Sequence, residues 1–302
     1  MNTIKNVRIF SPCFRVPVAT LRRTIDNFLD LRMILERRQL DCQILLINDD
    51  PENDEMSECL EAQSQAHDFI SVHRNDRNLG NSEAIQLGYS WVLNENSNTL
   101  GGSCDADGEH HPLAFAFYID KLLQNECDGV IGSIVYPDHG DSSLDNRSDR
   151  AFMRSIGFDQ AQILGLKNSF SQECSFDGAL YVQAPGFQLH NAAFIQKAMD
   201  LLPIYTQEFT KQFGEFPKWG MHFVFDALLS LAGANMHAAY LPCFGMPPAR
   251  DRSKRWLQLD AALKHMQFFE NSFRKLDRFK SDLPPIAISE LPQRDPTGIA
   301  PK

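Results

Sequence analysis

No two of the seven cysteines, at positions 13, 42, 59, 104, 127, 174 and 243, form a Cys-x-x-Cys pair, and they follow no framework spacing. Neither a zinc ribbon nor a disulfide scaffold is implied, and the thiols read as reduced, as in a cytosolic protein. Long apolar runs are missing too. No stretch approaches the roughly 18 to 20 residues that cross a bilayer, so membrane association is expected only at the periphery of an inner face or through a partner. The start, MNTIKNVRIFSPCF, enters an alternating apolar segment directly and has no basic region, apolar core and cleavage site of a secretion signal. Positive charge is scarce. With 29 Lys and Arg against 39 Asp and Glu, the net charge is −10, which argues against a nucleic-acid partner.

What is present is ordinary globular material: 302 residues, 43% hydrophobic and 23% charged, enough for one large α/β domain or two modest ones. VRIFSP (7–12) and CQILLIN (42–48) have strand length, and Leu21, Ile25, Phe28, Leu31 and Leu35 between them keep helical spacing. A helix over 55–67, a strand at 69–73 and a helix after NLGN, with Ala84, Leu87, Trp91 and Val92 on one side, continue the alternation. A weaker strand, a helix over 112–125 and a strand at 129–136 extend it. Such alternation predicts a mostly parallel sheet covered by helices, with ligands beyond the carboxyl ends of the strands. Residues 137–172 read as a polar loop, 191–202 and 256–280 as helices, and the proline-rich end as a loosely packed tail.

The stretch CDADGEHHP (104–112) places Asp105 and Asp107 two apart at the end of a predicted strand. Residues i and i+2 of a strand share a side, so both carboxylates can face one divalent cation. Mg²⁺ or Mn²⁺ is typically held by one or two carboxylates together with the phosphate oxygens of a substrate. An isolated Asp-x-Asp is more often a solvated turn. His110 and His111, adjacent and without Cys or His partners at finger spacing, read as neighbours of the site and not as zinc ligands.

The motif is not isolated. SPCFRVPVATLRRTIDNFL, ILLINDDPENDE and NDRNLGNSEAIQLGYSWVL, followed by CDADGEHHP, resemble in their order the signature of the family 2 glycosyltransferases. That resemblance covers about 6–115 well and 176–260 weakly. It implies a GT-A fold: a mostly parallel central sheet flanked by helices, with a catalytic domain over 1–245 and a helical extension over 246–302. Within the domain, 1–112 is the nucleotide-sugar half and 113–245 the acceptor half. By the same resemblance, Asp49 binds the nucleotide base, with Asp50 a near alternative; a carboxylate accepts the imide N–H of uracil, which suggests a UDP donor. Pro12, Phe14, Gly80 and Asn81 border the nucleotide, Asp105 contacts the donor, and Asp105 and Asp107 hold Mn²⁺ or Mg²⁺.

The acceptor half departs from the family pattern. A Glu-Asp pair is expected before a helix ending in Ala-Gly, and counting back from Ala232 and Gly233 puts Met221 and His222 there. His222 or Asp226, one helical turn apart, then stand as candidate bases, since a near-neutral imidazole is competent at pH 7. His222 as a third metal ligand is the alternative, and it would suit a retaining enzyme. RSKRW (252–256) resembles the Gln-x-x-Arg-Trp motif of processive members, with Arg255 against the leaving diphosphate and Trp256 against a sugar ring. The expectation is a metal-dependent, inverting, non-processive hexosyl- or N-acetylhexosaminyltransferase. Its donor is a nucleoside-diphosphate sugar, and its acceptor a glycan, lipid-linked or small-molecule hydroxyl. A nucleotidyltransferase, which would carry a glycine-rich loop after the first strand, and a non-catalytic binder are the competing readings.

Overall fold

The computed structural model describes residues 4–94, 98–108, 110–124, 127–135, 167–168, 186–242 and 252–276; at 133–135, 167–168, 239–242 and 252–259 the description is of the backbone alone. The expected loop over 137–172 (β6 below excepted), the strand ALYVQ, the basic segment 249–251 and the proline-rich tail lie outside these residues.

The chain begins β1 (Asn6–Cys13), α1 (Val18–Arg37), β2 (Asp41–Asn48), α2 (Asp54–Ala66), β3 (Ile70–Arg74), α3 (Asn81–Leu93), β4 (Thr99–Ser103), α4 (Ala114–Leu123) and β5 (Gly129–Val135). After β6 (Lys167–Asn168) come β7 (Gln188–Asn191), α5 (Ala192–Phe213), α6 (Met221–Leu231), β8 (Met236–Pro242), α7 (Arg252–Asn271) and a 3-10 turn at Phe273–Lys275. The strands form one sheet in the order β3-β2-β1-β4-β7-β5-β8-β6. β7 runs antiparallel to both neighbours; the other pairs are parallel.

Side-chain alternation along the strands builds two cores. Val7, Ile9, Ile44 and Leu46 face a cluster completed by Leu21 and Phe28 of α1, Met56 and Leu60 of α2, and Phe115 of α4. Phe10, Leu45 and Ile47 point the other way, into a cluster with Ile85 and Tyr89 of α3, Ile195 and Phe209 of α5, Phe225 of α6 and Phe269 of α7. The sheet is thus covered on both faces, as the run of alternating elements predicts.

α5 continues to Phe213, past Pro203, where the expected helix stopped at 202. An interior proline removes one helical hydrogen bond, but Ile195, Ala198, Leu202, Tyr205 and Phe209 keep an unbroken buried stripe across it. Tertiary burial decides the outcome here.

Candidate active site

Because β1, β2 and β4 are parallel, their carboxyl ends reach one edge of the sheet, and Asp105 and Asp107 lie there. β4 ends at Ser103, so the pair sits in the turn after the strand and strand alternation does not place it. Backbone and neighbouring side chains do. The Cys104 N–H donates to the Phe10 carbonyl at 3.0 Å, Ser11 Oγ donates to the Cys104 carbonyl at 2.6 Å, and Thr24 Oγ1 donates to the Ala106 carbonyl at 3.2 Å. Cys104 and Ala106 are buried while Asp105 and Asp107 stay partly exposed. Gly108 closes the turn at φ +84°, where a side chain would be strained.

Asp49, at the end of β2, is 3% exposed. Its Oδ1 accepts from Asn75 Nδ2 at 2.8 Å and the Leu79 N–H at 2.8 Å, and its Oδ2 from the Gly80 N–H at 3.0 Å. The carboxylate therefore organises the entry to α3 and fixes Gly80, with one lone pair of Oδ2 left over. That clamp is a role the sequence reading did not foresee. Asp50 is half-buried, its N–H held by Asn48 Oδ1 at 3.1 Å. Pro12, Phe14 and Asn81 are half-buried at the same edge, and the Arg15 guanidinium lies 5.0 Å from the Phe14 ring centre.

β7 enters this edge from the opposite direction, so its amino end meets the carboxyl end of β4: Gln188 pairs with Ser103. Ser103 Oγ donates to the Gly186 carbonyl at 3.1 Å. Gly186 packs so tightly on the Asp105 carboxyl that a Cβ there would overlap it. From the other side, buried His110 brings Nδ1 to 4.0 Å from Asp105 Oδ2. His111 turns away, its Nδ1 accepting from the Leu113 N–H at 3.3 Å at the approach to α4.

His222 and Asp226 project from α6 into the interior, 5% and 0% exposed. Gln188 Nε2 donates to Asp226 Oδ1 at 2.8 Å, and Tyr89 Oη donates to Gln188 Oε1 at 2.7 Å. His190 Nε2 lies 4.0 Å from Asp226 Oδ1. Both ring nitrogens of His190 and of His222, and Asp226 Oδ2, are buried with no hydrogen-bond partner among the described residues. Burial holds both imidazoles neutral by pushing their pKa down to about 3, with His110 adding to the effect on His222. The same burial raises Asp226 well above the usual carboxylate range. His222 is therefore not the near-neutral titrating imidazole that the sequence suggested.

The sequence profile of glycosyl transferase family 2 matches residues 9–182. The chain belongs to that family. Its sheet and helices form the GT-A type of fold. Crystal structures of S. aureus TarS are similar at low identity. The 1–349 segment shares 9% identity over 90% of this chain and 75% of that one, with TM-score 0.46; the longer TarS structure shares 10% over 90% and 40%, with TM-score 0.47. The 1–349 segment with UDP-GlcNAc gives 9% over 92% and 76%, TM-score 0.46. Curated proteins gave no match.

The family 2 match takes in β1 to β5 and both aspartates of the turn. It stops short of α6, whose first two residues are Met221 and His222. A divalent cation suits the turn: two part-exposed carboxylates are a donor set for Mg²⁺ or Mn²⁺ shared with phosphate oxygens. Among the described residues no three His, Cys, Asp or Glu gather as a set that could hold a metal ion. Arg255 and Trp256 fall in the first turn of α7, where the description is of backbone alone. No described helix is long and apolar enough to cross a membrane.

The buried histidines make stability depend on acid. A histidine whose folded pKa is depressed binds fewer protons folded than unfolded, so stability falls as pH drops from about 6.5, by about 1.4 kcal/mol per pH unit for each group. His190, His222 and His265 all have pKa values pushed down to about 3 by burial. Asp226, raised, works in the opposite direction over this window and offsets one of them. Urea unfolding is therefore expected to show a net loss of about 3 kcal/mol per pH unit below about pH 6.5. His265→Phe should flatten that net slope by about one half; a flat profile would contradict the buried neutral assignment.

Proposed function

We propose that this family 2 member transfers a hexosyl or N-acetylhexosaminyl group from a nucleoside-diphosphate donor, UDP-linked by the chemistry of Asp49 and Asp50 after β2, to a hydroxyl of a glycan, lipid-linked or small-molecule acceptor. The observation that carries the reading is the Asp-Ala-Asp-Gly turn, fixed by three hydrogen bonds at the carboxyl edge of the sheet and flanked by the Asp49 clamp. With Asn75, Leu79 and Gly80 occupying most of the Asp49 acceptor capacity, Asp50 shares the task of receiving a base N–H.

Asp105 and Asp107 would hold Mn²⁺ or Mg²⁺, which would supply neutralisation of the diphosphate charge and so a better leaving group. In the inverting step the acceptor oxygen bonds to the anomeric carbon, the bond to the diphosphate oxygen breaks with its electron pair leaving on the diphosphate, and the acceptor proton passes to His222, whose ring nitrogens are buried in this structure and must be uncovered for the acceptor to reach them. A neutral imidazole has the free lone pair this needs, and charge building on the diphosphate favours the imidazolium that forms. Asp226, fully buried one helical turn from His222, orients the acceptor side and does not touch substrate. By the family resemblance, Arg255 and Trp256 are assigned to the donor.

The test is nucleoside diphosphate release from UDP-, GDP- and dTDP-sugars, with Mn²⁺ or with chelator. Metal-dependent release from one donor is expected. Donor binding without release over a broad acceptor panel would mark a non-catalytic binder, and the absence of metal-dependent binding to any donor would overturn the reading.

A further inference from the structure

We propose that Gln188 is the positioning residue of the acceptor side: held by Tyr89, it fixes the Asp226 carboxyl and the first turn of α6, and through them the direction of the His222 ring. The inference rests on the reading of His222 as the acceptor-side base.

Gln188 is fully buried at the amino end of β7 and joins three elements. Its Oε1 receives the Tyr89 hydroxyl of α3, and its Nε2 donates to Asp226 Oδ1, with a longer contact of 3.4 Å to the His222 carbonyl. One amide thus touches both ends of the α6 turn that separates His222 from Asp226. A side-chain amide can serve both neighbours only in one orientation: with its oxygen toward Tyr89, its two N–H groups face α6. Tyr89 cannot drift, because its ring stacks on Phe225 of the same α6 turn at 3.9 Å and meets Phe10 edge-on at 4.9 Å.

Among the described residues nothing else fixes the histidine directly, since neither ring nitrogen of His222 has a hydrogen-bond partner there. Its direction follows from the backbone of the α6 turn and from packing. α6 begins at Gly220, in the left-handed region with φ +95° and without a side-chain cap. The first turn is buried through Met221, Phe223 and Val224, and to that packing Gln188 adds the directional hydrogen bonds that tie the turn to the sheet. A displacement of about 1 Å at a reacting group can cost about 100-fold in rate.

The test compares Gln188→Leu, Gln188→Glu and Tyr89→Phe in the full chain. Gln188→Leu is expected to lower kcat for transfer about 100-fold, with donor KM unchanged, because β1, β2 and the Asp-Ala-Asp-Gly turn are untouched. In Gln188→Glu, the new carboxyl group when neutral can still accept from Tyr89 and donate to Asp226, but once ionised it cannot donate and it repels a carboxylate. The titratable groups around it are Tyr89 on α3, His190 on β7, and His222 and Asp226 on α6. Gln188→Glu activity relative to the native chain should therefore rise about tenfold from about pH 9 to about pH 6. A purely structural role would give equal losses at all pH values.

The His222 imidazole signals in NMR supply a readout without turnover, and they are expected to shift in Gln188→Leu and, less, in Tyr89→Phe. If the native chain turns over no donor, the functional reading fails while this readout still decides the positioning. Unmoved His222 signals, or a kcat for Gln188→Leu within about twofold of native, would overturn the inference. Should Gln188→Leu not fold, Tyr89→Phe carries both measurements.

Discussion

Asp107→Ala is expected to reduce nucleoside diphosphate release by about 100- to 1,000-fold, the cost of removing one preorganised group at a centre of developing charge. The turn that carries Asp107 is held by Ser11, Thr24 and Gly108 through backbone groups, and these remain in the variant. Thermal unfolding of the variant should stay within a few degrees of the native chain. Raised Mn²⁺ should recover part of the activity, because Asp105 remains to share the cation with the donor. Asp107→Asn, which keeps shape and loses charge, should fall near Asp107→Ala. Turnover of Asp107→Ala within about twofold of native, insensitive to chelator, would remove the carboxylate from the donor site.

Gly186→Ala is expected to cost as much activity as Asp105→Ala while leaving every carboxylate of the chain in place. A methyl group at 186 would occupy the volume of the Asp105 carboxyl. That carboxyl is the end of a side chain about 30% exposed, so it can rotate outward with little damage to the fold. The variant should fold with a stability loss of about 1 to 3 kcal/mol, typical of overpacking, and bind donor without metal-dependent enhancement. Isothermal titration of Mn²⁺ in the presence of nucleoside diphosphate separates the two effects. Native cation affinity in Gly186→Ala would show that Asp105 does not need the position it holds beside β7.

The donor half was largely legible because its signals are periodic and local. β1 to β5 and their helices follow from apolar alternation and helical spacing, and the aspartate turn from its spacing and its place after a strand. The start of α6 was found by counting back from Ala232 and Gly233. β7 was not seen, for a physical reason. Phe187 and Leu189 do alternate with Gln188 and His190, but a four-residue strand is too short for the pattern to stand out, and Gln188 and His190 read as a solvated face although both are buried. The same reading hid Gln188 as a functional candidate. Asp49 was seen as acidic and at a strand end, but three donors arriving from Asn75, Leu79 and Gly80 are long-range contacts that no local pattern encodes.

β7 also sets an order on how the chain can assemble. β4 and β5 follow one another in sequence with only α4 between them, yet they never touch; four residues from much later in the chain lie between them. Until residues 188–191 leave the ribosome, both strands present open edges, the kind of surface on which chains pair wrongly. The β3-β2-β1-β4 block can form early from near neighbours, and it must then wait for a seam supplied later, with β8 following it. Synthesis paused before residue 188 should thus yield a species that chaperones bind and that aggregates when they are absent.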